Sequence, residues 1–367
     1  MMDNFFHTCL TRRAFMEKTA KVCLKAGLSF IFFKGFPADA SDSRVLSASK
    51  GKEKKPSASE PVYLKLHKSG ELAERAAALE SMMKECRLCP RQCGADRISG
   101  GKGFCKAPGM LPVIASANPH FGEERPLVGR GGSGTIFFSH CNLRCVFCQN
   151  WEISHAGRGA GHSLENLADR MLAMQKAGCH NINLVTPTHY SAAILRALDL
   201  AAKKGLCLPV VYNTSGWERA EVLSLLDGVV DIYLPDFKFK DSSISSDYAA
   251  GADSYGEITA RAILEMQRQV GTALPESDGI MKKGLMIRHL VMPGHTKDSV
   301  RIIEWIARNL PENTYVNIMA QYNPAYKAFD HPEIARRIST EEYREVVRAA
   351  EKAGLVNLDV RGSWWLR

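Results

Sequence analysis

From residue 135 onward, short runs rich in β-branched and aromatic residues alternate with longer runs whose apolar residues recur every three or four positions. The short runs predict strands at 135–139, 181–186, 208–213, 230–235, 285–291 and 315–319, with a late edge strand at 355–360. Between them, Leu164, Leu167, Ala168, Met171 and Leu172 fall at helical spacing. So do Ile194, Leu195, Leu198 and Ala202, and later Ile263, Met266 and Val270. These helices start at Ser163 or Ser191 and stop at Gly178 or Gly205, as caps and breakers should. Strand-then-helix units repeated six times predict an α/β fold with a parallel sheet and right-handed crossovers. Functional side chains should then stand just past the C-terminal ends of the strands.

The pattern is different upstream. Residues 64–84 read as helical, with strong helix formers from Glu71 to Leu79. Residues 121–134 form a loop with Pro126 and four glycines, Gly129, Gly131, Gly132 and Gly134. No Lys-Ser/Thr follows, and the loop runs into a strand rather than a helix, which is the wrong order for a phosphate cradle. It reads as the lead-in to the first strand. Residues 41–60 are rich in Ser, Ala and Lys, cannot bury a core, and read as a flexible linker. Ahead of them, Arg12 and Arg13, a moderately apolar segment at 22–36 and Ala38-Asp39-Ala40 occur in the order of a twin-arginine export signal. The competing reading is a chance Arg-Arg in an amphipathic helix. The organisation expected is therefore a leader at 1–40, a linker at 41–60, a helix plus cysteine-rich metal-binding segment at 61–130, a barrel core at 131–330, and a C-terminal helix and edge strand at 331–367.

Composition adds limits. With 45% hydrophobic and 24% charged residues among 367, this is the make-up of a soluble globular chain. No apolar run is long enough to span a membrane as a helix. The net charge of +9 suggests nucleic acid at first, but +5 of it falls in residues 1–60. The remainder shows no basic–aromatic interleaving, so no nucleic-acid partner is expected.

The eleven cysteines carry the chemistry, and seven of them fall in two tight groups. Cys86, Cys89, Cys93 and Cys105 bracket Pro and Gly turns, which suits a closed four-ligand site for zinc or for an iron–sulfur cluster. Cys141, Cys145 and Cys148 follow the first barrel strand at Cys-x3-Cys-x2-Cys spacing. A 4Fe–4S cluster usually takes four cysteines, so three close thiolates leave one iron open to an outside ligand. The other readings of this loop are a zinc knuckle, a ferredoxin or clustered buried thiols.

The run Cys-Asn-Leu-Arg-Cys-Val-Phe-Cys-Gln-Asn resembles the signature of radical S-adenosylmethionine (SAM) enzymes, with Phe147 at the position of their frequent aromatic. Six strand–helix units match the partial (β/α)6 TIM-like barrel of that superfamily. Residues 133–324 look like its pyruvate formate-lyase activating enzyme branch. Asp236-x-Lys238 matches an Asp-Leu-Lys element, and Arg288 followed by Val291-Met292-Pro293-Gly294 matches Arg…Val-Val-Pro-Gly. The Gly-Gly-Glu element that meets the SAM amino group in that branch is absent; Asn183, Thr186 and Thr188 lie there instead.

The resemblance implies an oxidoreductase that reductively cleaves SAM at a 4Fe–4S cluster to make a 5′-deoxyadenosyl radical. It implies Cys141, Cys145 and Cys148 as iron ligands, and Phe147, Thr186, Thr188, Ser215, Asp236 and Arg288 as SAM contacts. Lys238, His289 and Tyr322 are expected to face substrate. Implied partners are a low-potential donor such as flavodoxin or ferredoxin and a glycyl-radical protein as substrate. Radical modification of a small molecule or peptide, and a non-catalytic iron–sulfur electron carrier, are the alternatives. The chemistry points to the cytoplasm, the leader to export.

Overall fold

The computed structural model describes residues 60–360; the Arg12-Arg13 motif, the Ala38-Asp39-Ala40 site, nearly all of the linker and residues 361–367 lie outside them. In chain order the helices are α1 (Tyr63–Ser69), α2 (Glu71–Ser81), α3 (Arg125–Val128), α4 (Trp151–Ser154), α5 (Leu164–Ala177), α6 (Ser191–Lys203), α7 (Ala220–Leu225), α8 (Ser242–Tyr248), α9 (Tyr255–Val270), α10 (Thr296–Asn309) and α11 (Thr340–Lys352). The strands are β1 (Val113–His120), β2 (Ser133–Phe138), β3 (Ala160–Gly161), β4 (Ile182–Val185), β5 (Val210–Thr214), β6 (Ile232–Pro235), β7 (Gly284–Leu290), β8 (Tyr315–Met319) and β9 (Leu358–Asp359).

The sheet runs β3-β1-β2-β4-β5-β6-β7-β8-β9 and does not close. From β2 to β9 every neighbour is parallel. Six of these strands, β2 and β4 to β8, are each followed by helix, which gives the parallel sheet expected from the pattern and the partial (β/α)6 barrel that the resemblance implies. The strand β1, which the pattern did not announce, pairs antiparallel with β2 and with β3 and covers the outer edge of β2. The single helix expected over 64–84 is two, broken at Gly70, whose φ of 85° ends α1. Where the cap chemistry is explicit, so is the start: Ser163 accepts the Asn166 N–H at 3.2 Å at the head of α5, and Gly178 ends that helix at φ 86°.

Alternation along the strands sorts the side chains into two layers, since successive residues point to opposite faces. Ile182, Leu184, Val210, Tyr212, Leu285 and Ile287 join the large core beneath the helices. Their alternates Val211, Ile232, Leu234 and Met286 meet Leu127 and Tyr315 in a separate small cluster inside the barrel. Leu127 belongs to α3, and the loop around it is fastened across the strand starts. Asn181 Nδ2 donates to the Leu127 carbonyl (2.8 Å), and the Met281 N–H donates to the Pro126 carbonyl (2.8 Å). The glycine-rich lead-in therefore also floors the barrel. Gly131 has to be glycine there, because a Cβ would sit 2.0 Å from the Gly178 carbonyl oxygen.

Candidate active site

The cysteine loop leaves β2 through tight backbone. His140 (φ 73°) and Arg144 (φ 52°) both take the left-handed conformation, uncommon outside glycine. This coil turns the Leu143 N–H onto Cys141 Sγ at 3.3 Å. The loop is then pinned on several sides. His189 Nε2 bonds the Ser139 carbonyl (2.8 Å), and burial holds that imidazole down at a pKa of about 3, so it stays neutral. The Val146 N–H donates to the Tyr248 carbonyl, and the Lys327 N–H donates to the Val146 carbonyl (both 2.9 Å). Ser154 Oγ stands 3.2 Å from Cys148 Sγ and 3.1 Å from His155 Nδ1.

Cys141, Cys145 and Cys148 all line one cavity at the C-terminal ends of the strands, with about 1030 Å³ of empty space including its opening. Burial pushes the Cys141 and Cys145 thiols up, the neighbouring sulfurs push them further, and Lys238 pulls them down. Among the described residues, no group of three or more His, Cys, Asp or Glu side chains is arranged to hold a single metal ion. The three thiols share the wall of one cavity, where each could hold a different iron of a cluster. With a backbone N–H and a hydroxyl already aimed at two of the sulfurs, this donor set fits a three-cysteine 4Fe–4S cluster.

Each following strand contributes polar groups to the same cavity: Thr186 after β4, Asn213, Thr214 and Ser215 from β5, Asp236 and Lys238 after β6, Arg288 from β7 and Tyr322 after β8. Asp236 is the hub. Its Oδ1 accepts from Arg288 Nε (2.9 Å) and its Oδ2 from Lys238 Nζ (2.6 Å). Burial alone would raise this carboxyl, but Arg288 and Lys238 hold it below the usual carboxylate range. Arg288 also donates to Asn213 Oδ1 and lies 3.6 Å from Glu123. Thr186, a β-branched residue, is held at φ 59°, with its N–H on the Asn213 carbonyl at 2.9 Å. Strain of this kind persists only where surroundings impose it. Ser215 Oγ is buried and has no hydrogen-bond partner among the described residues. An unpaired hydroxyl at a cavity wall beside carboxylate and guanidinium is the sort of group that a polar ligand such as SAM satisfies.

Phe147 lines this cavity too and packs edge-on against Phe239 at 5.9 Å. Two expected residues do not line it. Thr188 is buried in a 3-10 turn (Thr188–Tyr190) and donates to Glu218 Oε1 at 2.6 Å, behind the wall. His289 follows Arg288, so strand alternation turns it to the helix side, where Nδ1 meets the Phe237 carbonyl at 2.7 Å. Both are corrections to the sequence reading.

Three supporting residues escaped the sequence reading. Tyr255 of α9 places its hydroxyl 2.7 Å from the Ser215 carbonyl and 2.9 Å from the Asp236 carbonyl, and accepts the Lys238 N–H at 2.9 Å. It ties the exits of β5 and β6 together. Glu218, buried, receives the hydroxyls of Thr188 and Thr214, and burial lifts its carboxyl to about 7. Ser154 is the third. The available signal was weak: Ser154 lies six residues after Cys148, and Glu218 shortly after an Asn-Thr-Ser-Gly strand exit.

The first cysteine group lies alongside. Cys86, Cys89 and Cys105 are buried and Cys93 is exposed. Arg91 links the two groups. Its guanidinium lies 4.0 Å from the centre of the Phe104 ring and 4.8 Å from that of Trp217, donating to the Asn142 carbonyl (3.0 Å) and the Ala249 carbonyl (2.9 Å).

Fold and cavity define a partial-barrel α/β protein with a three-thiol site at its strand exits. The chain belongs to the same family as MJ0674, an uncharacterized protein of Methanocaldococcus jannaschii, with which it is 32% identical over 286 residues, 75% of this chain and 77% of the relative. No family model matches the chain. Among solved structures it is similar to Streptococcus suis SuiB bound to S-adenosylmethionine, at 12% identity and a TM-score of 0.42 over 60% of this chain. It spans about half of that protein, 47% of its length. It is also similar to methylornithine synthase (PylB), at 12% identity and a TM-score of 0.41, covering 80% of this chain and 73% of that one. At those values neither likeness carries an argument about chemistry. No helix of the described residues is long and apolar enough to cross a membrane.

Proposed function

We propose that this protein is a radical SAM enzyme. One observation carries the reading: three thiols at Cys-x3-Cys-x2-Cys spacing share a strand-exit cavity with Thr186, Ser215, Asp236, Lys238 and Arg288. A 4Fe–4S cluster on Cys141, Cys145 and Cys148 would supply one electron to a SAM molecule bound at its open iron, releasing methionine and a 5′-deoxyadenosyl radical.

The chain's own part is to bind, orient and exclude water. Ser215 offers a free hydroxyl, and the strained Thr186 presents its side chain beside it. Asp236, charge-balanced by Arg288 and Lys238, is available to hydroxyl or ammonium donors without losing its own partners. Phe147 provides an apolar wall for a flat base. Lys238 and Tyr322 stand where a substrate would meet the cavity. Nothing on the loops after β4 supplies a carboxylate in place of the missing Gly-Gly-Glu, so the SAM amino group would be met by hydroxyl and carbonyl oxygens.

The finer reading is activation of a glycyl-radical protein. It rests on the Asp236-x-Lys238 and Arg288…Pro293-Gly294 elements shared with the activating-enzyme branch. A flavodoxin or ferredoxin would supply the electron.

The test is anaerobic reconstitution with iron and sulfide, then SAM and dithionite. Release of 5′-deoxyadenosine by the parent chain, lost in Cys145→Ala, is expected. A cluster-loaded protein that releases none refutes the proposal. A glycyl-radical doublet by electron paramagnetic resonance in a candidate partner would establish the finer reading, and 5′-deoxyadenosine release without that doublet would refute it.

A further inference from the structure

Arg97 presents a physical problem. Its side chain is 1% exposed, yet among the described residues no carboxylate pairs with it. Nη2 donates to the Pro108 carbonyl (2.6 Å), Nη1 points at Cys86 Sγ (3.9 Å), and Nε has no partner among the described residues. A buried, always-charged guanidinium without a counter-charge costs several kcal/mol, on the order of what breaking a buried ion pair costs. Among the described residues, the groups beside it that can become anions are thiols. Cys86 and Cys105 both lie beside Arg97, and Cys105 lies near Cys93 as well.

The backbone answers the same demand. N–H groups two residues on are aimed at three of these sulfurs: Arg91 at Cys89, Ala95 at Cys93 and Ala107 at Cys105. Phe104 directs a second N–H at Cys93. Leu143 treats Cys141 in the same way. Burial raises the Cys89 and Cys105 thiols, and these N–H groups offset part of that rise by favouring the thiolate. Gly103 is required beside this knot, since a Cβ there would lie 2.4 Å from Cys93 Sγ.

We infer that Cys86, Cys89, Cys93 and Cys105 hold an iron–sulfur cluster, with Arg97 as its buried counter-charge. Four thiolates around a cluster carry net negative charge, which the guanidinium offsets. Position supports a redox role, a part of the inference that rests on the radical SAM reading. Cys93 is exposed, whereas Cys89 is buried on the side of Asn142, the neighbour of Cys141. One electron from a reduced flavodoxin-class donor would enter at Cys93 and pass on through Cys89 toward Cys141. This cluster would then return to its oxidised state, with no bond to protein made or broken.

The full chain is expressed as the Cys141→Ala/Cys145→Ala/Cys148→Ala variant, reconstituted anaerobically, and assayed for iron, acid-labile sulfide and zinc. About four iron and four sulfide per chain are expected to remain. One zinc per chain, or no metal, overturns the inference. The converse variant, Cys86→Ala/Cys105→Ala, guards against misfolding of the first and should lose the same amount from the parent's roughly eight irons; an undiminished iron content also overturns it. Iron kept by the triple variant alongside a parent that makes no 5′-deoxyadenosine would sink the proposed function alone. An active parent whose triple variant holds no iron would sink this inference alone. For the relay, Cys86→Ala/Cys105→Ala should slow reduction of the remaining cluster by reduced flavodoxin at least tenfold and leave dithionite reduction unchanged. An unchanged flavodoxin rate overturns that role.

Discussion

Ser154 Oγ lies 3.2 Å from Cys148 Sγ, with His155 Nδ1 3.1 Å away on its other side. When the sulfur is an iron-bound thiolate it can only accept, so the hydroxyl donates to it and the imidazole N–H donates to the hydroxyl. Hydrogen bonds to cluster sulfurs favour the reduced, more negative state. Ser154→Ala should therefore lower the midpoint potential of the Cys141–Cys145–Cys148 cluster. A loss of about 1 kcal/mol in the differential bond is roughly 40 mV for one electron. Redox titration of the variant followed by electron paramagnetic resonance checks this, and a potential that rises would show that the hydroxyl does not donate to Cys148.

The Asp236 hub gives a stability prediction. Lys238 Nζ and Arg288 Nε meet its two oxygens, and each of these side chains is 17% exposed. Asp236→Ala leaves Lys238 without its carboxylate, and Arg288 with only Glu123, 3.6 Å away, to balance it. It should cost about 3–5 kcal/mol in urea unfolding. Asp236→Ala/Lys238→Met should recover part of that loss, which measures the coupling directly.

Glu218 makes stability depend on pH. Burial lifts its carboxyl from 4.5 to about 7 in the folded chain. The neutral acid is the form the fold prefers, so this contribution is complete below about 4.5 and is lost as pH rises through about 7. Glu218→Gln should stabilise the protein at pH 8, by as much as about 3 kcal/mol, and flatten the urea midpoint between pH 5 and 8. Asp231 is lifted to about 7 in the same way and leaves a residual slope of the same sign. An unaltered slope in the variant would mean that Glu218 is ionised in the fold.

Two glycines with like backbone angles separate conformational cost from crowding. Gly216 (φ 82°) would place a Cβ 2.2 Å from the Asp236 carbonyl oxygen; Gly178 (φ 86°) would place one in open space. Gly178→Ala should cost only the left-handed penalty, about 1–2 kcal/mol. Gly216→Ala should cost clearly more and weaken SAM binding as well, because it pushes Ser215 and Asp236 apart. Calorimetric titration with SAM alongside thermal unfolding tells the two apart.

Much of this was legible in the sequence because parallel strands buried on both faces announce themselves as apolar runs with polar exits. Residues 315–319 were placed without error, and Asp236, Lys238 and Arg288 were singled out by motif elements together with their place at or near strand ends. His289 was misplaced because the strand-end rule ignores which face a side chain takes. Thr188 was misplaced because a single 3-10 turn after β4 buries its hydroxyl on Glu218. The strand β1 was invisible since Ala115, Ser116, Ala117 and Pro119 give neither alternation nor bulk. Tyr255 and Arg97 act across long separations in the chain or against backbone, which no local pattern records.

The sheet that carries this site ends in two very short strands. On one side lie Ala160 and Gly161, and on the other Leu358 and Asp359. An unclosed sheet ordinarily offers its outermost strand as a template on which a second chain can extend it. At the first of these margins β3 pairs with β1 over two residues only, too short a strand to register another chain. That side of the sheet can thus end in the open without inviting sheet-to-sheet association.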